Sequence, residues 1–170
     1  QPPYSKLHDV TQPRKGAVER VFLFMGGGDK DNTVGLVLEA FLGLDRLNVE
    51  IDVVIPSRHG SLDLLRTRAE THPNVHIHTS LPSLAPLMAK ADLAIGAGGA
   101  TSWERLCLGL PTLVWSRSAN QLAISKELHE RGLVRWLGHA EEVTQADVSG
   151  ALNEIMREGL DEDWSLQCSS

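Results

Sequence analysis

Cysteine is scarce in this chain of 170 residues: two are present, Cys107 and Cys168, with no CxxC pair and no framework spacing. That excludes a disulfide scaffold and reads as a reducing, cytoplasmic compartment. Long apolar runs are missing too. No stretch approaches the roughly 18 uninterrupted apolar residues of a membrane span, and no signal peptide is visible. A basic stripe is also lacking. The 16 Lys and Arg are scattered among 22 Asp and Glu, for a formal charge of −6, which argues against nucleic acid as a partner. An anionic small ligand is not excluded, because backbone amides bind phosphate without net positive charge. What is present is an ordinary globular composition, 42% hydrophobic and 22% charged, at the size of one domain. The chain opens on Gln1 rather than Met, which reads as a piece of something longer.

Residues 1–20 are polar, proline-bearing and aperiodic, and read as a linker or arm; 161–170 read as a polar tail. Between them, residues 21–160 alternate strand and helix signals. Strand runs fall at Val21–Met25, Val49–Ile55, Val75–His78, Leu93–Ile95, Thr112–Trp115 and near Val134–Leu137. Helical spacing covers Asn32–Leu47, Leu62–Thr71, Ser83–Lys90, Ser102–Leu108, Leu122–Arg131 and Gln145–Glu158. Alternation of this kind predicts an α/β, Rossmann-like parallel sheet of about six strands with helices on both faces. Ligands of such sheets bind beyond the carboxyl ends of the strands where strand order reverses, between the first and fourth strands in the usual order. Here GGGDKDN (26–32) follows the first strand and GAGGATS (96–102) the fourth, so both loops are expected at one crevice.

In the second loop Gly96, Gly98 and Gly99 permit close backbone approach, and Thr101 can cap the helix that follows. The first amides of that helix, with its dipole, suit a diphosphate; a tight turn needing only small residues is the plain alternative. Glu104 lies three residues past Thr101, the spacing of a capping box, and could equally accept ribose hydroxyls. Asp29 and Asn32 stand where helix caps are common, and capping is the better reading of both on position alone. Asn120 and Gln121 start a helix beside the same crevice. His76 and His78 alternate on a strand, but no neighbouring ligands make a zinc site of them. Trp115 and Trp136 read as core. His59, His72, His129 and His139 fall on loops or edges with nothing to place them at the crevice.

Taken as an ordered set, GGGDKDN (26–32), ADLAIGAGGATSWE (91–104), LGLP (108–111) and NQ (120–121) resemble a known family, the PseG-like UDP-sugar hydrolases of pseudaminic acid biosynthesis. That family is glycosyltransferase-B-like and related to spore-coat polysaccharide proteins of the SpsG type. PPYSKL in the arm looks like its interdomain segment, so the match spans about residues 4–125. More distantly the pattern is similar to the donor half of MurG-type transferases.

The resemblance implies the C-terminal half of a GT-B-type fold holding UDP or a UDP-sugar. The diphosphate would lie on Gly98, Gly99, Ala100 and Thr101, with Glu104 on the ribose and the backbone of Leu81, in the Thr79–Leu84 loop, on the uracil. Asn120 and Gln121 would approach the sugar, and Asp29 and Asn32 would line the opposite wall. Water would attack the anomeric carbon and release UDP, with no metal or other cofactor required. Two features of the family are missing: its catalytic histidine sits in an N-terminal domain, and its acidic C-terminal segment does not match DEDWSLQCSS. The expected partner is therefore that domain, in the same protein or as a separate catalytic chain. The expected function is UDP release from a diacetamido-trideoxyhexose donor. The alternatives are the donor half of a glycosyltransferase and a non-catalytic nucleotide-sugar module.

Overall fold

The computed structural model describes residues 12–26, 29, 32–99 and 101–169. Six parallel strands, β1 (Arg20–Phe24), β2 (Glu50–Val54), β3 (Val75–His78), β4 (Leu93–Ala97), β5 (Thr112–Ser116) and β6 (Arg135–His139), form one sheet in the order β3-β2-β1-β4-β5-β6. The helices between and after them are α1 (Thr33–Leu42), α2 (Leu62–Glu70), α3 (Ala85–Lys90), α4 (Thr101–Cys107), α5 (Ala119–Glu130), α6 (Gln145–Glu158) and α7 (Glu162–Ser169). The expected doubly wound sheet is thus observed, with its strand order reversing between β1 and β4.

The apolar runs that predicted the inner strands are continuous because both faces of the sheet are covered. Val21, Leu23, Ile51, Val53, Leu93, Ile95, Leu113 and Trp115 point to one face, packed by α1, α2 and α6. Phe22, Val54 and Ala94 point to the other, under α3; Val114 meets α4, α5 and α7 there. Helix α1 presents Val34, Val37, Leu38 and Phe41, the i, i+3, i+4, i+7 stripe of an amphipathic helix. It ends at Gly43, short of the expected Leu47, because Asp45 turns with a positive φ of 52° and Leu47 is left exposed.

Segments near both ends of the described residues are integral to the packing, which polarity alone does not reveal. Gly16 and Leu160 exchange backbone hydrogen bonds as an antiparallel bridge. Arg14 is buried and donates to the carbonyls of Ala91, Met88 and Leu108, at the ends of α3 and α4. Carbonyls of a helix's last turn favour a cation. The Arg14 amide donates to Ser165 Oγ, which donates in turn to Gly109 O (2.6 Å). Within 161–170, read as a tail, Glu162–Ser169 form α7, which buries Ser165 and Cys168. Of the two cysteines Cys107 is exposed, whereas burial pushes the Cys168 thiol up to about 12, against the opposing pull of Arg14. Trp115 is fully buried as expected, whereas Trp136 is half-buried with Lys126 over its ring (5.3 Å) and its Nε1 donating to Ser116 Oγ.

Candidate functional site

Strand order places the segments after β1, β4 and β5 side by side at the carboxyl edge of the sheet, which is the crevice expected from the sequence. The loop after β4 is built on small residues for two separate reasons. A Cβ on Gly96 would collide with the Arg105 guanidinium and lie 2.9 Å from Phe24 O, and one on Gly98 would collide with Ser125 Oγ of α5. Those two glycines are explained by packing. Gly99 is not: its missing Cβ would meet only Gln121 Nε2, at an ordinary 3.6 Å. The Gly98 amide donates to Trp115 O (3.1 Å), so it extends the β4–β5 pairing and is unavailable to an anion. Ala100 lies outside the described residues.

Thr101, expected as the cap of α4, is its first residue instead, and its hydroxyl accepts from Arg105 Nη1 (3.2 Å). Arg105 was not anticipated from the sequence. It is 1% exposed beneath the glycine loop, with Nη2 donating to Ala97 O (2.9 Å) and Ser102 Oγ (3.0 Å). Burial pushes this guanidinium down to about 10, with neighbouring Glu104 acting the other way, so it stays cationic at neutral pH. Its charge sits directly behind the loop without reaching the crevice. Glu104 itself is partly exposed in the first turn of α4.

Across the crevice, Asp29 and Asn32 are caps, as their position suggested. Asp29 accepts from the amides of Thr33 (2.8 Å) and Val34 (3.0 Å) at the start of α1; Asn32, in the left-handed region, accepts from Gly35 N (3.3 Å). Asp29 also meets His59 Nε2 at 3.1 Å, which brings to this edge a histidine that no motif or spacing places there. His59 Nδ1 accepts from the Ser61 amide (3.1 Å), which makes Nε2 the nitrogen that donates to Asp29. Burial works to raise the Asp29 carboxyl, but the Val34 and Thr33 amides, the Thr33 hydroxyl and His59 outweigh it and hold the group below the usual carboxylate range. With a side chain 1% exposed, Asp29 shapes the wall rather than facing a ligand.

The residues after β5 close the third side. Ser118 caps α5 through Gln121 N, so Asn120 and Gln121 begin that helix as expected. Gln121 folds back, its Oε1 accepting from Arg117 N (2.9 Å), which sets its amide beside Gly99; Asn120 is exposed. Arg117, also unanticipated, reaches over β4 to Met25 O (3.2 Å) and lies 3.8 Å from Asp29 Oδ1. Leu81 is exposed on the loop leading from β3 into α3, beside Ser80 with its positive φ of 53°.

His76 and His78 lie on the outermost strand β3, paired with Glu50 (2.6 Å) and Asp52 (2.8 Å) on β2. Among the described residues, no group of three or more His, Cys, Asp and Glu is gathered to hold a metal ion. None of the described helices is long and apolar enough to cross a membrane.

Solved structures superpose on nearly the whole chain. WaaG, a glycosyltransferase of lipopolysaccharide biosynthesis, does so with a TM-score of 0.70 over 99% of this chain and 46% of its own, at 16% identity. The fold is glycosyltransferase-B-like. MurG of Acinetobacter baumannii matches 98% of the chain and 48% of its own (TM-score 0.67, 16% identity). Medicago truncatula UGT71G1, solved with UDP-glucose, matches 96% and 37% (TM-score 0.66, 19% identity). In sequence, the chain is 28% identical over 162 residues to the spore coat polysaccharide biosynthesis protein SpsG of Bacillus subtilis, covering 91% of this chain and 48% of that protein. No family model matches. The chain thus spans about half the length of SpsG, WaaG and MurG and 37% of UGT71G1.

Proposed function

We propose that this chain is the nucleotide-sugar-binding half of a UDP-sugar enzyme, with the diphosphate seated on the loop after β4. One observation carries the reading. Gly99 has no packing reason to be glycine, yet it lies at the strand-order reversal, opposite Gln121 and beside the first turn of α4. In this reading the amides from Gly99 to Thr101 take the diphosphate, with Gly98 contributing close approach instead of its amide. Glu104 accepts the ribose hydroxyls, the Leu81 backbone meets the uracil, and Asn120 and Gln121 approach the sugar. Asp29 and Asn32 fix the opposite wall as caps. Arg105 adds fixed positive charge behind the loop, in a setting that strengthens it. The relatives' names support the class: SpsG is a polysaccharide biosynthesis protein, and UGT71G1 was solved with UDP-glucose.

Within that class, the ordered motifs resembling PseG-like hydrolases favour release of UDP by water; the superposed transferases WaaG and MurG favour transfer to an acceptor. Both need a second half to supply the reacting group. His59 is committed to Asp29 and Ser61, which leaves it poorly placed as a base here. Calorimetric titration of the chain with UDP tests binding: a saturable heat supports the reading, and no heat with millimolar UDP refutes it. Product analysis with the full-length protein separates the reactions, since a free sugar marks hydrolysis and a glycosylated acceptor marks transfer.

A further inference from the structure

Arg117 is the first residue after β5, while Met25, whose carbonyl it contacts, is the first residue after β1. These strands are not neighbours: β4 lies between them. Two strand spacings come to about 9.6 Å, so the side chain must run across the carboxyl end of β4 to make that contact. The guanidinium is thereby held over the strand that ends in Gly96 and Ala97 and opens into Gly98 and Gly99. Three features fix it there. Met25 O accepts from Nη1 at 3.2 Å, Asp29 Oδ1 stands 3.8 Å from Nη2, and the backbone amide of Arg117 is clamped by Gln121 Oε1. Asp29 is immobilised in turn by the α1 amides and His59.

We propose that Arg117 is the cationic contact for the diphosphate, with Asp29 as its positioning residue. The inference rests on the nucleotide-sugar reading above and adds to it a specificity-determining residue that neither the motifs nor the resemblance identifies. Arg105, the other guanidinium near the loop, cannot take this part, because it is 1% exposed and its amino groups bond to protein oxygens. The Arg117 side chain is 17% exposed, against 1% for Arg105, and is held at the carboxyl edge by Met25 O. A guanidinium also suits the task, since its planar fork of five N–H donors bonds several oxygens at once, phosphate oxygens among them. The competing role is a strut that ties the β1 and β5 loops together without touching a ligand.

The test compares UDP, inorganic pyrophosphate and uridine on the 170-residue chain carrying Arg117→Gln or Arg117→Lys, with melting curves for each. For Arg117→Gln, affinity for UDP and pyrophosphate is expected to fall on the order of ten- to hundredfold, the scale of one lost charge-assisted hydrogen bond. Uridine binding should stay within about twofold, since it lacks the phosphates. Arg117→Lys keeps the charge and guards against misfolding of the Gln variant. A compact ammonium cannot serve carbonyl and phosphate together, so UDP affinity should drop about three- to tenfold with uridine unmoved. Parallel losses of UDP and uridine, or unchanged UDP affinity in either folded variant, overturn the proposal while leaving the nucleotide reading standing. Failure of the unmutated chain to bind UDP removes both.

Discussion

Glu104 stands in the first turn of α4, where an acidic side chain serves a helix terminus whether or not a ligand is present. Glu104→Gln separates the roles. If the carboxylate holds the ribose, UDP affinity should fall on the order of ten- to hundredfold. Inorganic pyrophosphate binding and the melting temperature should hardly move. Equal weakening of both ligands, or of neither, takes Glu104 out of the site. A second residue-scale prediction concerns Asp52, fully buried on β2 beneath Arg20 (2.7 and 3.1 Å) and His78 (2.8 Å). Burial works to raise this carboxyl, but the bonds from Arg20 and His78 outweigh it and hold it low. A folded-state pKa depressed below the unfolded one contributes stability that is present above the unfolded value, about 3.9, and is lost as pH falls through the folded one. Asp52→Asn should therefore lower stability at pH 7 by about 1.5–3 kcal/mol. It should also flatten the loss of stability below about pH 4 in urea titrations; an unchanged acid limb would contradict the pairing. Caps such as Asp29 and Asn32 were legible in the sequence because their bonds are local. Arg105 and Arg117 were not, because their partners at Ala97 and Met25 come together only once the sheet is formed.

At the scale of elements, strand periodicity and alternation located all six strands to within a few residues, since a sheet covered on both faces demands unbroken apolar runs. Helix ends were less legible. The end of α1 is set by Gly43 and the positive φ of Asp45, which no apolar pattern reports. The loop after β4 divides by experiment into a packing part and a binding part. Gly98→Ala drives a methyl group into Ser125 and should cost about 1–3 kcal/mol, read as a lowered unfolding midpoint. Gly99→Ala meets nothing closer than Gln121 Nε2 at 3.6 Å and should leave the midpoint nearly unchanged. Its methyl group would crowd a ligand lying on the loop, so UDP affinity should drop at least about tenfold, or about 1.4 kcal/mol. A Gly99→Ala chain that binds UDP as tightly as the parent would mean the diphosphate does not lie there.

For the whole molecule, segments near the two ends of the described residues hold one another. Arg14 gathers carbonyls from the ends of α3 and α4 and is joined through Ser165 to α7, contacts that composition does not report. Arg14→Ala strands several buried carbonyls and should cost about 3 kcal/mol or more, lowering the melting temperature by roughly 6–12 °C. A change under about 1 kcal/mol would show that this clasp is incidental. The chain covers 48% of SpsG and 46% of WaaG, and under the proposed reading the reaction needs a second half. The chain alone should bind the nucleotide and turn over no UDP-sugar above background. The central claim, that a nucleotide diphosphate binds where strand order reverses, is tested most directly by backbone amide NMR of the chain titrated with UDP. The largest shifts are expected at Gly99, Thr101, Glu104, Arg117 and Gln121, with saturation at common concentrations. No shifts with millimolar UDP, or shifts confined to Glu50, Asp52, His76 and His78 on β2 and β3, would contradict it.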